Sequence, residues 1–129
     1  MRQMTLIDRF CIQLDRGLRA VHANPVQTQR PNPAASHAEV ELNPEQQHEI
    51  ACLMRVNHAG EIAAQALYNG QALTAREVEV RERLETSAAE EGDHLAWCEQ
   101  RVHELGEDTS RLAPFWYWGS FSIGAFAGM

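Results

Sequence analysis

The chain has 129 residues, 44% of them hydrophobic, and a formal net charge of −7, the size of one domain or part of one. That acidic balance excludes a nucleic-acid surface, which needs clustered basic charge. Cys11, Cys52 and Cys98 are far apart, odd in number and without a Cys-x-x-Cys pair, which excludes a disulfide framework and points to a reducing compartment.

Residues 1–22 are predicted to form an amphipathic N-terminal helix. Thr5 and Asp8 have capping-box spacing, and Leu6, Ile7, Phe10, Cys11, Leu14, Leu18 and Val21 recur at helical period. Asp8, Arg9, Asp15, Arg16 and Arg19 interrupt any apolar run, so no signal peptide is expected. The expected location is the cytoplasm or the cytoplasmic side of the cell membrane. Residues 23–42 read as a linker, because Pro25, Pro31 and Pro33 accompany little that could form a core.

A domain over 43–129 follows. Asn43-Pro44 with Gln46 at the third helical position predicts a helix start, and periodicity carries the helix to about 73. Asn69-Gly70 is a rival turn signal, outweighed by Tyr68 and Ala72, which continue the earlier stripe. Thr74 and Glu77 suggest a second capping box opening a helix over about 75–105, and Gly106 suits its left-handed cap. Residues 112–129 carry no charge and predict an apolar C-terminal helix.

The candidate chemistry lies on the two long helices. Stepping by helical spacing from Glu61 meets Ile50, Leu53, Met54, Ala64, Tyr68 and Ala72, and from Glu91 it meets Leu84, Ala88, His94, Leu95 and Val102. Both glutamates therefore fall in apolar or small-residue stripes, with no lysine or arginine on those stripes to balance them. A carboxylate in a helix interface costs several kcal/mol unless a cation compensates it. Two carboxylates and a neutral imidazole would balance one divalent ion. With a turn near 74–77, Glu61 and Glu91 each stand roughly 20 Å from it, so antiparallel packing brings them to one level. Glu45 and His48 share the Glu-x-x-His spacing but point away from the Glu61 stripe in a first helical turn, where an acidic residue favours the helix dipole. They read as a solvated decoy. One glutamate from one helix and Glu-x-x-His from the next is the half-site of a ferritin-like di-iron carboxylate bundle, and oxygen and imidazole donors with open positions suit redox-active iron.

At these residues the chain resembles the demethoxyubiquinone hydroxylase family: at 53–76 (LMRVNHAGEIAAQALYNGQALTAR), at 88–105 (AAEEGDHLAWCEQRVHEL) and at 114–128 (PFWYWGSFSIGAFAG). The resemblance implies an all-α, ferritin-like four-helix bundle, about half of it supplied here as two long antiparallel ligand helices. It implies that Glu61 is a terminal ligand, that Glu91 bridges two irons and that His94 binds the first. The implied reaction is O₂-dependent hydroxylation of a prenylated methoxy-benzoquinol in ubiquinone biosynthesis, with an electron donor. Members of that family carry a second glutamate and a second Glu-x-x-His on two further helices. No acidic residue follows Asp108 here, so the expectation is a truncated form or a sequence fragment, or a chain that pairs with a second copy. The expected partners are a homodimer mate or a ubiquinone-biosynthesis complex.

Other residues carry weaker expectations. His58 is a candidate for orienting a ligand or an ordinary surface histidine, and Tyr68 a candidate hydrogen-bond donor near the metal. Cys98 reads as a small hydrophobe rather than a zinc ligand, Trp97 as a packing residue, and Glu90 and Asp93 as solvated or supporting groups. Phe115, Trp116, Trp118 and Phe121, with Tyr117, suit a peripheral membrane face that would meet a lipid-dissolved substrate. The competing functions are a ferritin-like iron or peroxide protein, which would have no use for an uncharged aromatic tail, and a metal-free helical binding module.

Overall fold

A computed structural model describes residues 4–22 and 28–129; residues 1–3 and the linker stretch 23–27 lie outside the described residues. The described residues form α1 (Leu6–His22), a 3₁₀ turn (Pro33–Ser36), α2 (Pro44–Thr74), α3 (Val78–Glu104) and α4 (Ala113–Ala127), with no strand among them. The architecture is all-α. Helix α2 is the central element, with α3 and α4 packed against it and α1 resting on α2 and α4. The core is built from Ile62, Ala66, Leu95, Ala113, Tyr117 and Phe121.

Local chemistry sets several helix ends. The Asn43 side chain accepts from the Gln46 N–H at 2.9 Å, and Gln46 Oε1 accepts from the Asn43 N–H at 3.0 Å, so two orphan donors of α2 are satisfied reciprocally. Thr5 and Asp8 do the same for α1. At the end of α3, Gly106 has φ 78°. Its N–H donates to the His103 carbonyl at 2.9 Å, and the Glu107 N–H donates to the Val102 carbonyl at 3.1 Å. This pair of bonds is a Schellman cap, and the missing Cβ permits it.

Thr74 does not cap α3. It ends α2, and its hydroxyl donates to the Ala125 carbonyl of α4 at 2.8 Å, while Glu77 precedes α3 without a side-chain cap bond. Asn69-Gly70 is not a turn, because α4 crosses α2 at that point. A Cβ on Gly70 would overlap the Phe121 carbonyl, and one on Gly124 would overlap the Leu67 carbonyl. These glycines serve a close backbone crossing between two helices.

The inward face of α1 is not its apolar stripe, and α4 turns part of its aromatic set into the core. Helix α1 buries Gln13 and Gly17 and leaves Leu6, Ile7, Phe10, Leu14 and Leu18 exposed. The Tyr117 and Trp118 rings occupy the space a side chain at position 17 would need. On α4, Phe121 is buried rather than membrane-facing, Tyr117 is fully buried, and Trp118 is half-buried against the core. The i, i+4 spacing puts Ala113, Tyr117 and Phe121 on one inward face, where Asn69 Nδ2 donates to the Tyr117 hydroxyl at 3.2 Å. Phe115 and Trp116 point outward, as do Ile123 and Phe126. Among the described residues no helix is long and apolar enough to cross a membrane.

Candidate metal centre

Helices α2 and α3 run antiparallel and bring Glu61, Glu91 and His94 together, with one ligand atom from each lying within 4.8 Å of the others. His94 Nδ1 is 3.0 Å from Glu91 Oε2 and 3.7 Å from Glu61 Oε2. All three side chains are half-buried. Glu61 borders the α2 core face formed by Ala51, His58, Ile62, Ala66 and Asn69 rather than lying within it. Leu53, on the Glu61 stripe, is exposed. A rotation of about 100° per residue separates that stripe from the buried one.

The electrostatics suit a cation. Burial, then the hydrogen bond and like charge of Glu91, pushes the Glu61 carboxyl up to about 7, against a smaller opposing pull from His94. Without a metal, the pair is eased by retaining a proton. A divalent ion among two carboxylates and an imidazole would take over that role, so the donor set fits a hard or borderline cation. Cys98 does not join the cluster. Burial and the Glu61 charge push its thiol up to about 11, which keeps it neutral.

The open side of the cluster faces a chamber of about 1100 Å³, lined in part by Val40, Ile50, Met54, Glu61, His94 and Trp97. The Trp97 ring packs against His94 with centroids 5.5 Å apart. Asp93 is buried between the two α3 ligands in sequence but outside their cluster. Burial opposes its charge, yet Arg30 and the Gln29 N–H hold its carboxyl below the usual range. Neither the partnership of Arg30 with Asp93 nor the approach of residues 32–42 to the chamber is legible as a pattern, because each depends on how an irregular segment folds back.

The remaining candidates lie elsewhere. His58 is not on the surface. It is 4% exposed, its Nδ1 has no hydrogen-bond partner, and burial with nearby His103 pushes it down to about 4. It lines a different cavity, with Ile62, Glu99 and His103. Tyr68 is half-buried, seven residues or about 10 Å along the helix from Glu61, and outside the cluster. Glu45 and His48 are exposed, and His48 pairs with Glu107 at 3.0 Å.

An antiparallel helix pair that directs a glutamate from one helix and Glu-x-x-His from the other to one point defines a class, the ferritin-like all-α bundles with inward metal-ligating side chains. Comparison with known proteins narrows this. The chain belongs to the family described as ubiquinone biosynthesis protein COQ7, whose model matches residues 48–129. It is 56% identical over 128 residues to a 3-demethoxyubiquinol 3-hydroxylase of Nitrosococcus oceani, covering 99% of this chain and 60% of that protein. It is 52% identical to the protein of the same description from Ectopseudomonas mendocina, covering 99% and 60%, and 48% identical to that from Legionella pneumophila, covering 100% and 61%. The chain thus spans about 60% of the length of these relatives. No solved structure matches it.

Proposed function

We propose that Glu61, Glu91 and His94 hold iron as one half of a carboxylate-bridged di-iron centre that hydroxylates a prenylated methoxy-benzoquinol, the demethoxyubiquinol step of ubiquinone biosynthesis. The observation that carries this reading is the convergence of the three ligand atoms within 4.8 Å from two antiparallel helices. The name shared by the relatives supports the substrate. In this reading a further segment or a second copy supplies the other glutamate and Glu-x-x-His.

Iron at the site would supply the electrons for O₂ activation, delivered by an external donor. The protein's own contributions are positional and electrostatic. Glu61 and Glu91 would neutralise the metal charge, and Glu91 Oε2 and His94 Nδ1, 3.0 Å apart on one helix face, would present their donors to the same ion. The chamber beside them, walled by Ile50, Met54 and Trp97, offers an apolar surface to a quinol ring. Anaerobic titration with Fe(II) should show uptake by the wild-type chain and a loss of about 100-fold or more in affinity for Glu91→Ala, beyond the ~10–100-fold effect of outer partners. Equal uptake by both would overturn the reading.

The reading includes peripheral attachment to the cytoplasmic side of the cell membrane. Phe115 and Phe126 on α4 are 68% and 78% exposed, and Trp116 is 41% exposed. An outward apolar and aromatic face suits the bilayer boundary. Vesicle partitioning should fall at least about 30-fold for the Phe115→Ser/Trp116→Ser double variant, since burying even one such ring is worth about 2 kcal/mol. Unchanged partitioning would count against attachment through α4.

A further inference from the structure

Residues 29–42, a linker by composition, fold back over the ligand-bearing face of α3 and are fastened at two points. At the near end, the Gln29 N–H donates to Asp93 Oδ1 at 2.7 Å and Arg30 Nε donates to Asp93 Oδ2 at 2.9 Å. Arg30 Nη2 also donates to the Glu90 carbonyl at 3.3 Å, and the guanidinium lies 5.5 Å from the centre of the Trp97 ring. At the far end, Glu39 accepts from both terminal nitrogens of Arg101, at 2.6 and 3.2 Å. Residues of the 32–42 stretch then wall the chamber onto which Glu61 and His94 open.

The two fastenings do different work. Asp93 immediately precedes His94, and Trp97 follows it one turn later with its ring against the imidazole. Arg30 therefore grips the residues on either side of this ligand, without itself reaching the cluster. Asp93 is 3% exposed, and a buried carboxylate needs such a partner. A planar guanidinium can hold a carboxylate and pack against an indole at once, which an ammonium cannot. The Glu39–Arg101 pair is about two turns further along α3 and, among the described residues, its side chains form no hydrogen bond or ion pair with Glu61, Glu91, His94, Asp93 or Trp97.

We propose that Arg30 is a positioning residue for the metal ligand His94, acting through Asp93 and Trp97 from a segment outside the helical bundle. The proposal rests on the metal reading above and specifies what holds one of its ligands in place. It predicts that cutting the near fastening loosens the imidazole, whereas cutting the far one does not.

The test uses the 129-residue chain and two measurements: the His94 ring signals by NMR in metal-free protein, and Co(II) affinity from its visible absorption under anaerobic conditions. Arg30→Ala should shift and broaden the His94 signals and weaken Co(II) binding about 10-fold, the scale of an outer-sphere partner. Glu39→Ala should change neither. Arg30→Lys, which keeps the charge but not the fork, should still weaken binding several-fold, and it serves if the alanine variant does not fold. Unmoved His94 signals with wild-type affinity in a folded Arg30 variant would overturn the proposal. So would an equal loss in Glu39→Ala, which would make general covering of the face the cause. If wild-type protein takes up no Co(II), the metal reading fails, and the His94 signals alone decide the role of Arg30.

Discussion

Glu61→Gln is expected to abolish tight metal binding and, in the same molecule, to stabilise the metal-free protein at neutral and alkaline pH. Losing one of three donors should cost about 100-fold or more in Fe(II) affinity, above the ~10–100-fold typical of outer partners. The stability effect follows from the carboxyl being pushed up to about 7 by burial and by Glu91. In the unfolded chain the same group titrates near 4.5. Below about pH 4.5 both states are protonated and the folded state keeps the full benefit. Between about 4.5 and 7 the unfolded chain loses its proton first, so folding stability falls as pH rises, and above about 7 the benefit is gone. Glutamine mimics the protonated form at every pH. Melting curves of wild type and variant should coincide near pH 4 and diverge in favour of the variant up to about pH 8. Adding Fe(II) anaerobically should stabilise the wild type but not the variant. Parallel pH profiles would show that Glu61 does not carry this penalty.

Gly124→Ala should destabilise the fold, against the usual sign for a glycine within a helix. In an open helical position this exchange gains about 0.5–1 kcal/mol. Here the new methyl would overlap the Leu67 carbonyl, part of the α2 backbone, and the whole α2–α4 crossing would have to widen. Overpacking of this kind costs about 1–3 kcal/mol, or a fall of about 5–10 °C in Tm for a chain of this size. Gly60→Ala and Gly119→Ala are the controls. A Cβ at either position meets nothing within 4 Å, so both should hold or raise Tm. If Gly124→Ala also raised it, the close crossing would not be required.

Much of the helical framework was legible because its signals are local. Asn43-Pro44 with Gln46, Thr5 with Asp8, and Gly106 each act within four residues and form the expected caps. The meeting of Glu61 with Glu91 and His94 was legible for a related reason, since helical rise and a short turn convert sequence separation into height. Thr74 misled, and Asn69-Gly70 offered a turn signal that α2 overrides, because their surroundings are not local. Both lie where α4 crosses α2, and there a hydroxyl or a missing Cβ serves another helix rather than the turn it resembles.

The sequence by itself determined which residues could share a helix face, where α2 starts and α3 ends, and that two acidic side chains and an imidazole stand at one level of an antiparallel pair. Periodicity and capping suffice for that, because both are properties of one segment and its hydrogen bonds. Only the tertiary structure decided which stripe of each helix is covered: α1 turns Gln13 and Gly17 inward and its leucines outward, α4 buries Tyr117 and Phe121, and His58 sits in the interior. It alone brought Arg30 onto Asp93 across 63 residues of chain. Burial is shared out among all the elements at once, and an irregular segment has no period from which its resting place could be read.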